Sequence, residues 1–208
     1  MSRRTRLVLL ALGVTLALAG GGLLLRRVLG TAPAPEGERP ASAAPPAGVP
    51  LADGFDFPVA APSGRGFLVR KSFGVEGHLG EDWDGGGFDS DLGQPIYAVA
   101  AGRVSFAEDV GGTWGRIVRV VHYYRDRRGE LRAVESLYAH LERIDVREGD
   151  LVRRGEPLGT LGNCDGAYPA HLHFELRARP GLPLGPGYAE DADGWLPPSE
   201  FIRRHRRD

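Results

Sequence analysis

The stretch PAHLHFEL, residues 169–176, places two histidines two positions apart in a pattern typical of a β-strand. Successive side chains of a strand point to opposite faces, so His171 and His173 share one face and Leu172 and Phe174 take the other. The apolar pair is therefore predicted to face a core, while the two imidazoles converge on a polar site. A His-x-His pair alone is weak evidence for a metal, so its meaning depends on the rest of the chain.

Short apolar runs separated by glycine, proline and aspartate continue on both sides of this stretch. Their spacing of roughly ten residues is typical of an antiparallel all-β domain. The only helix predicted is a short one near the C terminus, Pro198–Ile202, with Ser199 as its N-cap. The predicted strands are Gly66–Ser72, Pro95–Ala100, Arg103–Ala107, Ile117–Tyr124, Ala133–His140, Asp150–Arg153, Glu156–Gly162 and His171–Arg177.

Composition limits the class of protein. The 208 residues carry 26 basic and 27 acidic side chains, and a net charge of −1 gives no reason to expect a nucleic-acid partner. The 31 glycines and 16 prolines suit a loop-rich β protein with a flexible linker. Cys164 is the only cysteine, which excludes an internal disulfide and a cysteine-based zinc cluster. Its thiol could be a nucleophile or a metal ligand, but we expect a buried or partly buried small residue.

Residues 1–29 are predicted to be a signal peptide or a signal anchor. An uncharged stretch, residues 7–25, follows three arginines and is closed by two more at positions 26–27. It is just long enough to span a bilayer, although ALAG at 17–20 resembles a cleavage site. The leading positive charges favour a cytoplasmic N terminus with the rest of the chain exported. We therefore expect a cell-envelope protein on the periplasmic or extracytoplasmic side, anchored to the inner membrane by residues 7–25 if they are not cleaved.

Residues 30–50, GTAPAPEGERPASAAPPAGVP, are rich in proline, alanine and glycine and show no apolar period. Such a composition cannot bury a core, and it predicts a disordered, semi-extended linker. The apolar pattern begins at about residue 51, so residues 51–208 are predicted to form the folded domain.

A second group of chemistry-bearing residues lies upstream. In GHLGEDWDGGG, His78 and Asp82 are four apart in a glycine-rich loop, and LYAHL ends a predicted strand with His140. Zinc accepts imidazole nitrogen and carboxylate oxygen, and catalytic sites use three protein ligands. His78, Asp82 and one histidine of the 171/173 pair complete such a set. The other histidine of the pair, with His140, is then free to transfer protons.

GHLGEDW, YAHL and HLHFEL together resemble the signature segments of the lysostaphin/LytM-type zinc metallopeptidases. The similarity runs from about Leu51 to about Ile202 and includes GQPIYAVAAGRV and IDVREGDLVRRGEPLG. It implies a small two-sheet antiparallel β domain with a groove between the sheets. The sequence does not indicate an oligomeric state, so a monomer is taken as the default. Each motif is weak alone, but their order and spacing are specific.

The resemblance also implies the roles of the five residues. His78, Asp82 and His173 correspond to the ligands of Zn²⁺. His140 and His171 correspond to the catalytic pair. The implied function is that of an exported zinc metalloendopeptidase that hydrolyses peptide bonds in bacterial peptidoglycan. Two alternatives are a non-catalytic LytM-like adaptor that activates another wall hydrolase, and a general secreted metalloprotease.

The loop before the histidine pair departs from the family pattern. It reads NCDGAYPA, with Pro169 and Ala170 where the family usually has Gly-Pro. Cys164 and Tyr168 are expected to line the groove wall. Because the five site residues are kept, the departure bears on substrate preference more than on the chemistry.

Other acidic residues offer alternatives to this assignment. Glu81 and Asp84 flank Asp82 in sequence and compete with it as the carboxylate ligand. Glu175 shares the strand face of the histidine pair, so it is either a rival general base or a residue that orients a ligand. The sequence FDSDLG could bind calcium, but its two aspartates are better explained by an Asx-type turn.

Two further histidines are expected outside the site. His122 shares a strand face with Val118 and Val120, which predicts a structural residue at the edge of the core. His205 lies in the basic sequence FIRRHRRD and is predicted to be part of a frayed, solvated tail.

Overall fold

The computed structural model describes residues 44–207. These residues confirm the all-β class and contain all eight predicted strands. Most of the linker and the whole of the predicted apolar segment lie outside the described residues. Turns of π type and 3-10 type occur at Ala60–Gly64 and Val75–Gly77. The elements are β1 (Leu51–Ala52), β2 (Leu68–Lys71), β3 (Glu81–Asp84), β4 (Pro95–Tyr97), β5 (Gly102–Asp109), β6 (Arg116–Arg125), β7 (Leu131–Ile144), β8 (Leu151–Val152), β9 (Pro157–Leu161), β10 (Leu172–Arg177), β11 (Trp195–Leu196) and α1 (Pro198–His205).

Strand β7 is the central strand of the sheet and pairs with three other strands. The main path of hydrogen-bonded neighbours is β2-β3-β10-β7-β6-β5-β8, and every pair along it is antiparallel. Over most of its fourteen residues β7 pairs with β6 and β10, but from Leu141 onward it pairs with β9, which in turn pairs with β4. β11 pairs with the end of β10 in antiparallel orientation, and β1 pairs with β6 in parallel. The change of partner at Leu141 falls one residue after His140.

The even-numbered face of β10 builds the core, as predicted. Leu172, Phe174 and Leu176 are fully buried in the main apolar cluster, which also contains Val118 and Tyr138 from the neighbouring strands. Burial of each such side chain stabilises the fold by roughly 1.5–3 kcal/mol. The apolar face of this strand therefore fixes the position of the strand, and with it the position of the residues on the opposite face.

The odd-numbered face of β10 is also buried, although it is polar. Glu175 and Arg177 are fully buried, and they form an ion pair with a distance of 2.8 Å between Arg177 Nη2 and Glu175 Oε2. The guanidinium also donates to the main-chain oxygens of residues 182, 183 and 184. The loop between β10 and β11 thus covers this face, and a buried charge pair of this kind is tolerated because its remaining donors are satisfied.

Strand β3 was not predicted, because Gly-rich and acidic sequences rarely form strands. It forms here because it pairs with β2 on one side and β10 on the other. Asp82 therefore lies on a strand, not in a loop. Glu81 points away from Asp82: its carboxylate accepts the N–H and the hydroxyl of Ser199 at 3.1 and 2.7 Å. The prediction of Ser199 as the N-cap is wrong, since Pro197 occupies that position and Glu81 satisfies the first turn of α1.

The C terminus is better ordered than the sequence suggested. The prediction of a frayed tail at His205 is wrong, because His205 is the last residue of α1 and stacks on Phe201 with ring centroids 4.1 Å apart. It also meets the ring of Tyr124 edge-on. Among residues 44–207, no helix has the length and apolar character that are needed to cross a bilayer.

The remaining polar residues have structural roles. His122 is fully buried, its ring bonded to the Ala101 oxygen and the Ser136 hydroxyl, and burial lowers its pKa to about 4. Asp89 accepts the N–H of Ala170 at 2.9 Å, and Asp91 accepts that of a glycine at 2.8 Å. Asp89 thus joins the β3–β4 loop to the segment before β10, and Asp91 bonds within the β3–β4 loop, so neither contact is a local Asx turn.

Candidate metal centre and groove

Three side chains meet at one end of the β3–β10 pair. The distances are 2.9 Å between Asp82 Oδ1 and His173 Nδ1, 3.0 Å between His78 Nε2 and His173 Nδ1, and 3.2 Å between His78 Nε2 and Asp82 Oδ1. Both histidines are buried and Asp82 is half-buried. The structure thus brings together the three residues that the sequence predicted as ligands.

Strand register explains why these side chains meet. Asp82 on β3 lies directly opposite His173 on β10, and His173 lies opposite Ala139 on β7. Directly opposite residues in an antiparallel pair have Cβ atoms about 4.5–5.5 Å apart, close enough for short polar side chains to touch. His78 comes from the preceding loop, where a bridge to Tyr188 holds its backbone. A shift of one residue in either strand would separate the cluster.

The cluster fits a cation. Glu175 Oε1 lies 3.1 Å from His173 Nε2, and because a carboxylate oxygen only accepts, Nε2 carries the proton. In the neutral ring, Nδ1 of His173 is then unprotonated, and its lone pair faces another acceptor, the Asp82 carboxylate. In a tetrahedral zinc site with bonds of about 2.0–2.2 Å, ligand atoms lie roughly 3.3–3.6 Å apart, slightly more than the separations here. Two imidazoles and one carboxylate are also a donor set that zinc accepts.

The pKa values of the cluster also indicate a site that fits a cation. Burial alone would lower the pKa of His173, but its bonds to Asp82 and Glu175 outweigh burial and raise it to about 9. Burial opposes ionisation of Asp82, yet the bonds to His173 and His78 hold its pKa below the usual range. A second proton on His173 therefore occupies the place that a metal ion would take, and metal binding would displace it.

His140 and His171 form a second group beside the first. Their ring centroids are 4.8 Å apart, and the ring of His140 lies 5.6 Å from that of His173. His140 has a φ of 64°, which is uncommon for a residue with a side chain, and it sits next to a register shift in β7. Irregularities of this kind re-aim side chains at functional sites. Here the irregularity allows a strand residue to face the groove.

Main-chain carbonyls hold both rings of this pair. Nδ1 of His171 lies 2.9 Å from the Pro169 oxygen, and Nδ1 of His140 lies 3.3 Å from the Trp114 oxygen. Since a carbonyl only accepts, each Nδ1 carries a proton and each neutral ring keeps an unprotonated Nε2. Burial, and then the charges of His171 and His173, lower the pKa of His140 to about 3. His140 is therefore neutral at ordinary pH.

A groove of about 400 Å³ connects the two groups. Asp82, His140, His171 and His173 line it together with six further residues from three loops: Thr113, Trp114, Tyr168, Pro186, Gly187 and Tyr188. Tyr168 lies in the wall as predicted. The loop after β10 is fixed against the His78 loop by hydrogen bonds of 2.9 Å at each of two positions.

Sequence reasoning missed two aromatic residues of this groove. Trp114 contributes its carbonyl to His140, and its ring centroid lies 5.3 Å from that of His173. Tyr188 packs 5.0 Å from the ring of His78, whose buried Nδ1 has no hydrogen-bond partner among the described residues. The only signal was an aromatic residue inside a glycine-rich turn, GGTWG and GPGYA, where small polar residues are more usual.

Cys164 lies beside His140 and is half-buried, as the sequence indicated. The prediction that it lines the groove wall is wrong, because the residues that line the groove do not include it. Its Sγ is 3.2 Å from His140 Nδ1 and 3.8 Å from the Thr113 oxygen. Burial, followed by the charges of Asp165 and Asp109, raises the pKa of the thiol to about 11. The thiol is therefore neutral and does not have the properties of an activated nucleophile.

Three known relatives illustrate the similarity of this chain to other proteins. Cell division protein DipM of Caulobacter vibrioides is 34% identical over 56% of this chain and 17% of that protein. Lipoprotein NlpD of Yersinia enterocolitica is 34% identical over 41% of this chain and 78% of that protein. Murein hydrolase activator EnvC of Escherichia coli is 31% identical over 72% of this chain and 30% of that protein. The chain thus spans only a minor part of DipM and EnvC.

Among solved structures, the peptidase lysostaphin from Staphylococcus simulans superposes with a TM-score of 0.44 at 19% identity, over 73% of this chain and 49% of that chain. The family model for peptidase family M23 matches residues 81–186, about half of the chain. The matched part contains four of the five clustered residues, and His78 precedes it by three positions. This chain belongs to peptidase family M23.

Proposed function

We propose that this chain is an exported zinc metallopeptidase that hydrolyses peptide bonds in bacterial peptidoglycan. The observation that carries the proposal is the convergence of His78, Asp82 and His173 within 3.2 Å of one another, with two further histidines in the same groove. Catalytic zinc sites use three protein ligands and leave a position for water. His78 Nε2, Asp82 Oδ1 and His173 Nδ1 are the ligand atoms in this proposal.

In this proposal the two remaining histidines, His140 and His171, transfer protons as general base and general acid. When bound, zinc would supply Lewis acidity at the scissile carbonyl and at the attacking water. Nε2 of His140 or His171 accepts the proton of that water, because Nδ1 of each ring is already bonded to a carbonyl. In protonated form the same nitrogen stabilises the developing oxyanion and returns the proton to the leaving amine. Glu175 does not act as the base, since it is buried between His173 and Arg177.

Export and attachment belong to the same proposal. Residues 1–29 act as a signal peptide or a signal anchor, residues 30–50 as a linker and residues 51–208 as the peptidase domain. A relative named as a lipoprotein and another named as a cell division protein support a location in the cell envelope. If the linker is polyproline-like, at about 3.1 Å per residue it extends roughly 60 Å and lets a tethered domain reach the wall.

A second function competes with this one. EnvC is named as a murein hydrolase activator and is 31% identical to this chain, which favours a non-catalytic adaptor. Retention of all five side chains supports the enzyme, because an adaptor needs no metal or proton-transfer groups. A general secreted metalloprotease shares the chemistry and differs only in what the groove accepts.

Incubation of the purified full chain with peptidoglycan sacculi and, separately, with casein distinguishes the three functions. New amino groups from sacculi alone, abolished by a chelator and restored by zinc, are the expected result. Release from casein would indicate the general protease. Release from neither, even with added zinc, would contradict the enzyme and leave the adaptor.

A further inference from the structure

Two arginine-rich segments meet at one end of the β6–β7 hairpin. Residues 125–132 and 200–207 contain eight arginines and three carboxylates, whereas the rest of residues 44–207 contains twelve basic and twenty-one acidic side chains. Both segments line one cavity of about 130 Å³, and Arg127 Nη2 lies 3.5 Å from the Arg204 oxygen. Five of the exposed arginines form what we call the arginine face: Arg125, Arg127, Arg128, Arg206 and Arg207. The sixth, Arg203, is not counted, because its guanidinium lies over the ring of Phe57.

The carboxylates of the two segments do not neutralise the arginine face. Asp126 and Glu130 pair with Arg132, which is not part of the face, and Glu200 pairs with Arg204. No carboxylate oxygen of residues 44–207 lies within 4.0 Å of a guanidinium nitrogen of the face; the nearest carboxylate contact is to a main-chain nitrogen, that of Arg128. The five guanidinium groups thus have no carboxylate partner among residues 44–207, although Arg125 and Arg127 each donate to a main-chain oxygen. The other side chains of these residues carry a net negative charge.

The arginine face lies where the chain enters the domain. β1 (Leu51–Ala52) pairs with Tyr123 and Tyr124, the two residues that precede Arg125. The groove lies at the other end of the hairpin, because Leu131 pairs with Arg125 while His140 is nine residues further along β7. At about 3.3 Å per residue the separation along the strand is roughly 30 Å.

We propose that the arginine face docks on an anionic phospholipid bilayer, which turns the groove away from that bilayer. The orientation rests on the proposed attachment through residues 7–25. Guanidinium groups bind phosphate in a bidentate manner, and each basic residue near an anionic leaflet strengthens binding about fivefold. A bilayer is favoured over an anionic wall polymer because the tether enters the domain beside this face. Docking leaves the groove open to substrate in the wall.

The test measures energy transfer from single labels to an acceptor lipid, with the full chain placed in vesicles. In a Cys164→Ser background, Glu130→Cys carries a label at the arginine face, and Val110→Cys carries one on the exposed loop after β5. On vesicles that contain phosphatidylglycerol, the label at 130 should transfer strongly and the label at 110 weakly. On phosphatidylcholine vesicles, or in high salt, the difference should disappear.

Matched variants assign the effect to the arginine face. The variant Arg127→Ser/Arg206→Ser/Arg207→Ser should lose the strong transfer from position 130 on anionic vesicles. The control Arg65→Ser/Arg147→Ser/Arg153→Ser removes three exposed arginines elsewhere and should keep it. Equal transfer on neutral and anionic vesicles, or equal loss in both triple variants, would overturn the proposal.

Two further outcomes separate this inference from neighbouring ones. If the chain dissociates from neutral vesicles, attachment by residues 7–25 is refuted. If the same chain binds anionic vesicles, and only the first triple variant loses this binding, the result still supports the arginine face. Long-chain polyphosphate serves as a soluble stand-in for an anionic polymer. Two results together would show that the face binds a polymer and that the membrane proposal is wrong. Polyphosphate would bind the wild type but not the first triple variant, and the label at 130 would stay far from anionic bilayers.

Discussion

The three-residue cluster and the His140–His171 pair lie side by side, but the chain holds them in different ways. Register between β3 and β10 sets Asp82 against His173, and a buried carboxylate, Glu175, fixes the ring of that histidine. In the pair, carbonyl oxygens from irregular segments fix Nδ1 and leave Nε2 uncommitted. The first arrangement collects lone pairs at one point, which suits a cation. The second keeps an unprotonated nitrogen of each ring free at the groove, which suits proton transfer.

The largest effect is expected from the cluster. His173→Ala should abolish hydrolysis of sacculi, because only two protein ligands remain and zinc should be lost. Loss of the metal should also lower the free energy of unfolding. Elemental analysis and thermal unfolding with and without a chelator measure both effects. About one zinc per chain is expected in the wild type, and the same content in His173→Ala would contradict the ligand assignment.

The next effect separates the pair from the cluster. His171→Ala and His140→Ala should keep zinc and the fold but lose about 10²–10⁴-fold in kcat, the usual contribution of a positioned proton-transfer group. Zinc content, circular dichroism and sacculus hydrolysis are measured on both variants. If both histidines of the His-x-His pair were ligands, His171→Ala would be metal-free, and the roles assigned here would be wrong.

The fold was predicted from local patterns, whereas the cluster joins distant parts of the chain and was predicted with the help of the family resemblance. Alternation in HLHFEL placed Leu172 and Phe174 in the core and the histidines on the other face. The resemblance to a family implied which histidine joins His78 and Asp82. The ligand roles themselves stay predictions, but the proximity of the three side chains is observed.

What the sequence missed depends on contacts that are distant along the chain. Strand β3 has poor strand propensity and exists because β2 and β10 flank it. Arg177 is the last residue of the predicted strand His171–Arg177, and the sequence did not indicate that the loop after β10 buries it completely. Trp114 and Tyr188 reach the groove from turns whose composition predicts only a loop. Pattern reasoning cannot place such turns, because tertiary packing determines where they lie.

A smaller effect should come from the residue that orients the cluster. Glu175→Gln weakens the bond to His173 Nε2, and we expect zinc affinity to fall by about 10–100-fold, as for other residues that orient ligands. Saturating zinc should restore most of kcat, which a general base at this position would not allow. Competition with a chromophoric chelator measures the affinity.

Trp195→Phe is the matched control for this variant. It removes a donor to the other oxygen of the same carboxylate, Glu175 Oε2, and keeps the bond to His173. It should reduce zinc affinity less than Glu175→Gln does. An equal loss in both variants would indicate that Glu175 matters through general packing of the buried network.

The smallest effect is expected at Cys164, which tests how the pair is held. Its sulfur lies 3.2 Å from His140 Nδ1, but the Trp114 oxygen at 3.3 Å accepts the same proton and is the stronger acceptor. Cys164→Ala should therefore keep zinc and KM and lower kcat only about two- to fivefold, the effect of one weak hydrogen bond. Cys164→Ser, which retains a polar atom, should lose less. Steady-state kinetics on a soluble muropeptide measures both variants. A loss as large as that of His140→Ala would show that the carbonyl alone does not orient the ring, and that the thiol is an essential part of the pair.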